Sequence, residues 1–194
     1  MQTAANRSIL SFKATPFKIK TWLIVRLPEK ISLKLPSRGL VMAKVTLSQT
    51  SFIIPLEPDG RGSHWFKIDH SLQKTALLRQ SVPLKIDLEL VTDWPRPKLP
   101  PDFKQLIESS SKASELWQQL TPKAQWEWLR YTRSIANQDM RPRRLELAVS
   151  KMESGKRRPC CWNQNLCSSQ KYRKAACYFT RPKLGYHDYD KAVF

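Results

Sequence analysis

The chain of 194 residues carries 34 lysine and arginine side chains against 16 aspartate and glutamate, a formal charge of +18, and 41% of its residues are hydrophobic. That apolar share supports a buried core and excludes a wholly disordered chain, while the charge favours polyanionic partners such as nucleic acid or anionic membrane surfaces. No stretch approaches the roughly twenty uninterrupted apolar residues of a membrane span, and Arg7, Lys13, Pro16, Lys18 and Lys20 interrupt the N-terminus before a secretory apolar core forms, so the expected location is cytoplasmic.

Residues 8–91 read as strands. Leu10 and Phe12 alternate with Ser11 and Lys13, and a stretch from Thr21 to Leu27, rich in aromatic and β-branched residues, suits a pleated surface until Pro28 ends it. After a polar connection, Arg38 and Gly39 lead into a strand with Val41, Ala43, Val45 and Leu47 on one face; Ser48 to Ser51 turn the chain and Phe52 to Leu56 return. The loop Pro58 to Trp65 holds Gly60 and Gly62 and needs positive φ within it. Asp69 or Ser71 can cap a short helix through about Leu78. The last strand places Leu84, Ile86, Leu88 and Leu90 inward, and burying each leucine contributes about 1.5–3 kcal/mol, which sets its register.

An open sheet of about six short strands leaves aggregation-prone edges, so residues 1–92 are expected to form a small closed or nearly closed β-barrel with one short helix, in an α+β chain. Four prolines between Asp93 and Asp102 predict a stiff linker over residues 93–101. Beyond it the apolar period changes from two to about 3.6, predicting three or four helices over residues 102–159. Asp102 can cap the first, with Phe103, Leu106 and Ile107 inside; Ser111 or Ser114 can start the second, with Leu116, Trp117 and Leu120. Thr121 before Pro122 starts a third, with Ala124, Trp128, Tyr131 and Ile135 on one stripe. Asp139 can cap the fourth, where Leu145, Ala148, Val149 and Met152 share a face and Gly155 is the stop. Residues 160–194 form a basic, cysteine-containing tail with too few apolar groups to offset its ordering entropy, expected to be partly disordered or docked on the body.

These residues carry a family resemblance. The Thr21–Pro28 strand, the Arg38–Gly39 step, the Pro58–Trp65 loop and the alternating last strand resemble a small bacterial domain of unknown function that often precedes a YdeI or OmpD-associated bacteriocin-protection module. The second half is similar to that module: Pro100 to Phe103 opens it, Leu120 to Asn137 forms its middle, and Arg141 to Asn163 closes it. Coverage runs from about Phe12 to Cys167. Arg141 and Arg144 match the family's arginine-bearing helix, although Met140 stands where a threonine is usual, and the run from Arg157 to Cys161 matches a subgroup. The resemblance implies a link to tolerance of bacteriocins or cationic antimicrobial peptides and to association with an outer-membrane porin. It implies no enzyme mechanism.

Several groups can carry function. Arg141 and Arg144 at i, i+3 can present two planar forks to one phosphate or carboxylate; the alternative is a solvated face or pairing with Glu115, Glu127 or Glu146. Gly60 and Gly62, with His64 and Arg38, can form a backbone anion nest, or can serve the turn alone. Cys160, Cys161, Cys167 and Cys177 lack the paired spacing of a zinc site, so no metal is expected; basic neighbours make Cys160 or Cys161 a candidate redox-sensitive thiol. Most tryptophans belong to the core, Trp126 being off the stripe of Trp128, although basic aromatic surfaces can also stack bases. His64, His70 and His187 have no serine-nucleophile motif, paired carboxylates or nucleotide-binding loop around them, so neither catalytic residues nor a cofactor are expected. The first expectation is therefore an accessory binding protein with a protein partner, porin or peptide. A second is a protein that binds nucleic acid without sequence preference through its basic surface and tail. A third is an enzyme with a site between barrel and helices near His64 and Arg144.

Overall fold

The computed structural model describes residues 9–19, 21–69, 73, 82–135, 137–160, 162–169 and 172. They fall into two compact units. One runs to Thr92 and includes Asn165–Cys167 and Tyr172; the other runs from Asp93 to Gln164 and includes Ser168 and Ser169.

The first unit is an antiparallel sheet of seven strands: β1 (Leu10–Ala14), β2 (Phe17–Ile19), β3 (Trp22–Arg26), β4 (Val41–Leu47), β5 (Thr50–Pro58), β6 (His64–Ile68) and β7 (Leu84–Leu90), in the order β1-β7-β4-β5-β6-β3-β2. The sequence had predicted about six; the additional one is β2, three residues after Pro16 that alternation alone does not distinguish. β1 and β2 sit on opposite edges yet only Thr15 and Pro16 separate them. Edges of a flat seven-stranded sheet lie about 29 Å apart at the usual strand spacing, whereas three peptide units reach about 11 Å. The sheet must therefore curl. It stops short of full closure: β1 pairs with β7 and β2 with β3, and no ladder joins β1 to β2 among the described residues, which corrects the closed form of the expected barrel.

Inside the curl, Phe12, Val25, Val45, Leu56, Phe66 and Leu88 belong to one cluster with the rest of the inward rows. The leucine row of β7 lies where its alternation puts it, with Leu88 opposite Leu10 on one side and Val45 on the other. Ser48, at φ 54°, and Gln49 close the two-residue hairpin between β4 and β5, a turn whose twist matches the strands it joins. After Pro28 the polar connection contains a single helical turn, α1 (Glu29–Ser32), that buries Ile31 and Ser32. The short helix expected from Asp69 or Ser71 to Leu78 lies, apart from Asp69 and Gln73, outside the described residues.

The outward rows of β2, β3 and β6 carry a second cluster, in which Ile19, Ile24 and Trp65 are buried together with Cys167 and Tyr172 from the C-terminal segment. That part of the tail is docked. Cys161, Cys177 and His187 lie outside the described residues.

The second unit contains α2 (Pro101–Glu108), α3 (Ser111–Gln119), α4 (Pro122–Arg133), a 3-10 turn (Gln138–Met140) and α5 (Arg141–Glu153). Its core joins Phe103, Leu120, Trp128, Tyr131, Leu145 and Met152. Thr121 caps α4 by accepting from the Ala124 amide at 3.3 Å, and Gly155, at φ 76°, follows the end of α5. Three of the expected caps move. Pro100 and Pro101 open α2 so that Asp102 falls inside its first turn; Ser110 rather than Ser111 or Ser114 caps α3, accepting from Ala113; and Met140, without a side-chain bond, precedes α5 while Asp139 bonds to Asn137. Proline suits the first helical position because its missing amide would have no partner there. The proline-rich stretch is extended and held against this unit, its Pro95 carbonyl accepting from Trp126 Nε1 at 2.8 Å and Arg96 donating to the Gln118 carbonyl at 3.4 Å.

Truncating Leu88 to alanine removes a fully buried side chain from the middle of the curl and is expected to cost about 2–5 kcal/mol in denaturant unfolding. Ile53→Ala, on the half-exposed outer side of β5, is expected to stay within about 0.5 kcal/mol of the parent.

Candidate functional site

The glycine loop between β5 and β6 is organised by Asp59. Its Oδ1 accepts from the amides of Arg61 at 2.7 Å and Ser63 at 2.9 Å, and its Oδ2 accepts from Arg26 Nε at 2.9 Å. Gly60 and Gly62 take φ of 75° and 93°, which lets the Arg61 and Ser63 amides converge on one oxygen. Two amides of the loop are thus donated to a carboxylate of the chain itself. An aspartate at the head of a glycine turn was the available signal for this arrangement.

Arg38 joins the loop to α1. One terminal nitrogen donates to the Gly62 carbonyl at 3.2 Å, and the other donates to the Ser32 carbonyl and, at 3.1 Å, to the Ser32 hydroxyl. Ser32 Oγ lies 2.7 Å from His64 Nδ1, and His64 Nε2 lies 2.8 Å from the Gly39 carbonyl. A carbonyl can only accept, so Nε2 carries a proton, and in the neutral ring Nδ1 accepts from Ser32. A serine bonded to a histidine is the start of a nucleophilic pair, but Ser32 is 0% and His64 1% exposed, so no substrate touches either. The chain Arg38–Ser32–His64–Gly39 is a polar brace, buried at Ser32 and His64 and half-buried at Arg38. Ser32 had no local signal, because its partner is 32 residues away.

In the helical unit Arg141 and Arg144 point to different partners. Arg141 makes a two-pronged bond with Asp102, Nε to Oδ2 at 2.6 Å and a terminal nitrogen to Oδ1 at 3.0 Å. The bond from Arg141 holds the Asp102 carboxyl below its ordinary value against a smaller opposing effect of burial. This pair flanks an open groove between α2 and α5 that includes Gln105, Leu106, Ser109 and Leu145. Arg144 instead lies over the Tyr131 ring, 4.6 Å from its centroid, and donates to the Ser134 carbonyl at 3.4 Å. The partner of Arg141 is none of the glutamates named from the sequence; Asp102, on another helix, supplies the charge.

Tyr131 collects further groups. Trp128 and Trp162 meet it edge-on at 5.7 and 6.2 Å, and Lys151 Nζ lies 5.0 Å from its ring and donates to its hydroxyl at 3.4 Å. Burial depresses the Lys151 amine, and the Tyr131 hydroxyl with the Cys160 thiol outweigh that and hold it above its ordinary value. Cys160 is exposed and Cys167 buried. Arg38, Gly62 and His64 are brought together in the sheet unit, while Arg141, Arg144 and Cys160 belong to the helical unit.

A curled antiparallel sheet with a glycine loop tied by Asp59, followed by a tryptophan-rich helical module with an aspartate–arginine clasp, defines a two-part chain. Residues 9–87 match the model described as Domain of unknown function (DUF1905), and residues 96–155 match the model described as Bacteriocin-protection, YdeI or OmpD-Associated. The chain therefore carries a segment that matches the YdeI/OmpD-associated family after one that matches a domain of unknown function, the order its motifs suggested. Comparison with curated proteins found no match. Among the described residues no helix is long and apolar enough to cross a membrane.

His64→Ala removes a partner from both Ser32 and the Gly39 carbonyl in a buried setting, and is expected to cost about 2–4 kcal/mol in denaturant unfolding. Asp102→Asn is expected to cost about 0.5–1 kcal/mol near neutral pH, because the pair is partly solvent-screened. Since Asp102 is lowered in the folded chain, its contribution is complete above the ordinary carboxylate value and disappears as pH falls through the lowered one. Thermal unfolding of parent and variant should therefore converge in acid.

Proposed function

We propose that this protein protects cells by binding rather than by chemistry, as an accessory protein of the bacteriocin-protection type, with the groove between α2 and α5 as its contact surface. The observation that carries the reading is the family match over residues 96–155, which spans the whole of that helical module. The burial of Ser32 and His64 supports it further, because that pair is closed to a substrate. Charge narrows the partner. A protein of +18 repels a cationic peptide, so protection by sequestering such a peptide is disfavoured, and the family description's association with a porin points to the target side instead.

The test is survival of a bacteriocin-sensitive bacterium expressing the full chain. Cells with the parent protein are expected to survive a lethal dose several-fold better than cells with empty vector. Gln105→Glu, which adds a charge to an exposed groove position without touching the core, is expected to abolish the gain while leaving the thermal midpoint unchanged. Equal survival with and without the parent chain overturns the proposal.

A further inference from the structure

The outward face of β2, β3 and β6 has features that neither the glycine loop nor the helical groove uses. Trp22 and Trp65 lie in one row with ring centroids 6.5 Å apart and planes 17° from parallel. The next ring in the row is Tyr172, stacked on Trp65 at 4.5 Å and 11°. Lys67 Nζ sits 5.2 Å from the Trp22 ring centroid at the other end. Trp22 is half-buried, whereas Trp65 is 4% exposed under Tyr172. Trp65 Nε1 is buried with no acceptor among the described residues, although a buried donor normally has one. Burial pushes the Tyr172 phenol well above its ordinary value, and the nearby Asp59 carboxylate adds to that, so this ring is held neutral.

We propose that this face is a stacking site for single-stranded nucleic acid, which Tyr172 caps in the free chain. Three observations lead there. Tyr172 shows that the Trp65 ring accepts a flat partner in parallel at stacking distance, as a base would lie. Lys67 beside Trp22, in a chain of +18, supplies the cation that a phosphate backbone requires, its present partner being the exposed Asp69 carboxylate at 3.3 Å, which a phosphate can replace. The unused Trp65 donor is suited to the carbonyl or ring nitrogen of a base, and a phenol stacked on the indole face leaves it unfilled. Double-stranded nucleic acid offers no free base faces, so the chemistry selects the single strand. Tyr172 is the ring that must yield, and Cys167 is buried in the same cluster. This site is independent of the protective role proposed above and stands or falls without it.

The experiment uses the full chain and a fluorescein-labelled oligothymidylate of about twelve nucleotides, within the usual site size for stacking surfaces. Fluorescence anisotropy is read at low and at physiological salt, with a duplex of the same length as comparison. The parent is expected to bind the single strand more tightly than the duplex, with quenching of tryptophan emission. Trp22→Leu, which keeps an apolar side chain in the row but removes the ring, is expected to weaken single-strand binding about tenfold and leave duplex binding unchanged. Tyr172→Ala is expected to strengthen single-strand binding several-fold by uncapping Trp65. Duplex binding as tight as single-strand binding, or unchanged single-strand affinity in both folded variants, overturns the proposal; circular dichroism and the thermal midpoint establish that each variant is folded. If Trp22→Leu does not fold, Lys67→Ala with Tyr172→Ala replaces it, and the absence of a gain on uncapping then counts against the site.

Discussion

The two residues between β1 and β2 govern the sheet unit. Thr15 and Pro16 must bridge the first and last strands of a seven-stranded order, and so short a bridge is compatible only with a strongly curled sheet. Curling gives the sheet an inside, where the apolar rows of β4 and β7 meet those of β3 and β6, and a convex outside that cannot stay wholly bare. Both the buried brace around His64 and the aromatic row around Trp65 follow from that geometry. His64 and Trp65 are neighbours in β6, and strand alternation sends one inward to Ser32 and the other outward to Tyr172.

Positive charge in this protein is less available than its total suggests. Arg38 is spent on the glycine loop and α1, Arg26 on Asp59, Arg141 on Asp102, and Arg144 on the face of Tyr131. Each of these guanidinium groups finishes a backbone turn or clasps two elements, which is what a planar multi-donor group does well. Partner recognition through charge therefore has to draw on exposed cations in single ion pairs, such as Lys67 with Asp69 at 3.3 Å and Arg158 with Glu127 at 3.6 Å, rather than on the arginines that dominate the motifs.

Local patterns were readable where a residue's role depends on its neighbours in sequence. The Leu84–Leu90 alternation, the Thr121–Pro122 start and the Leu145–Met152 face all stand as their spacing indicates, because burial of a row or the orphan amides at a helix start are local problems. Long-range partners left no such trace. Asp102 looked like a cap because aspartate suits that position; in the structure the neighbouring prolines open the helix, and the carboxylate serves Arg141, 39 residues later. Ser32 sat in what read as a polar connection, and Tyr172 in a tail whose composition indicated only weak order; each is placed by a partner that local spacing cannot name. Of the candidate site, the glycine loop and its association with Arg38 and His64 were visible, while the internal carboxylate filling it was not.

The outward aromatic row also has a consequence for synthesis on the ribosome. Trp65 is made roughly a hundred residues before Tyr172, and at about 5–20 residues per second that interval is about 5–20 s. During it the strands β2, β3 and β6 can already pair, yet their convex side shows Phe17, Ile19, Trp22, Ile24 and Trp65 to solvent. A folding helper that recognises exposed apolar strands would meet this protein in that window.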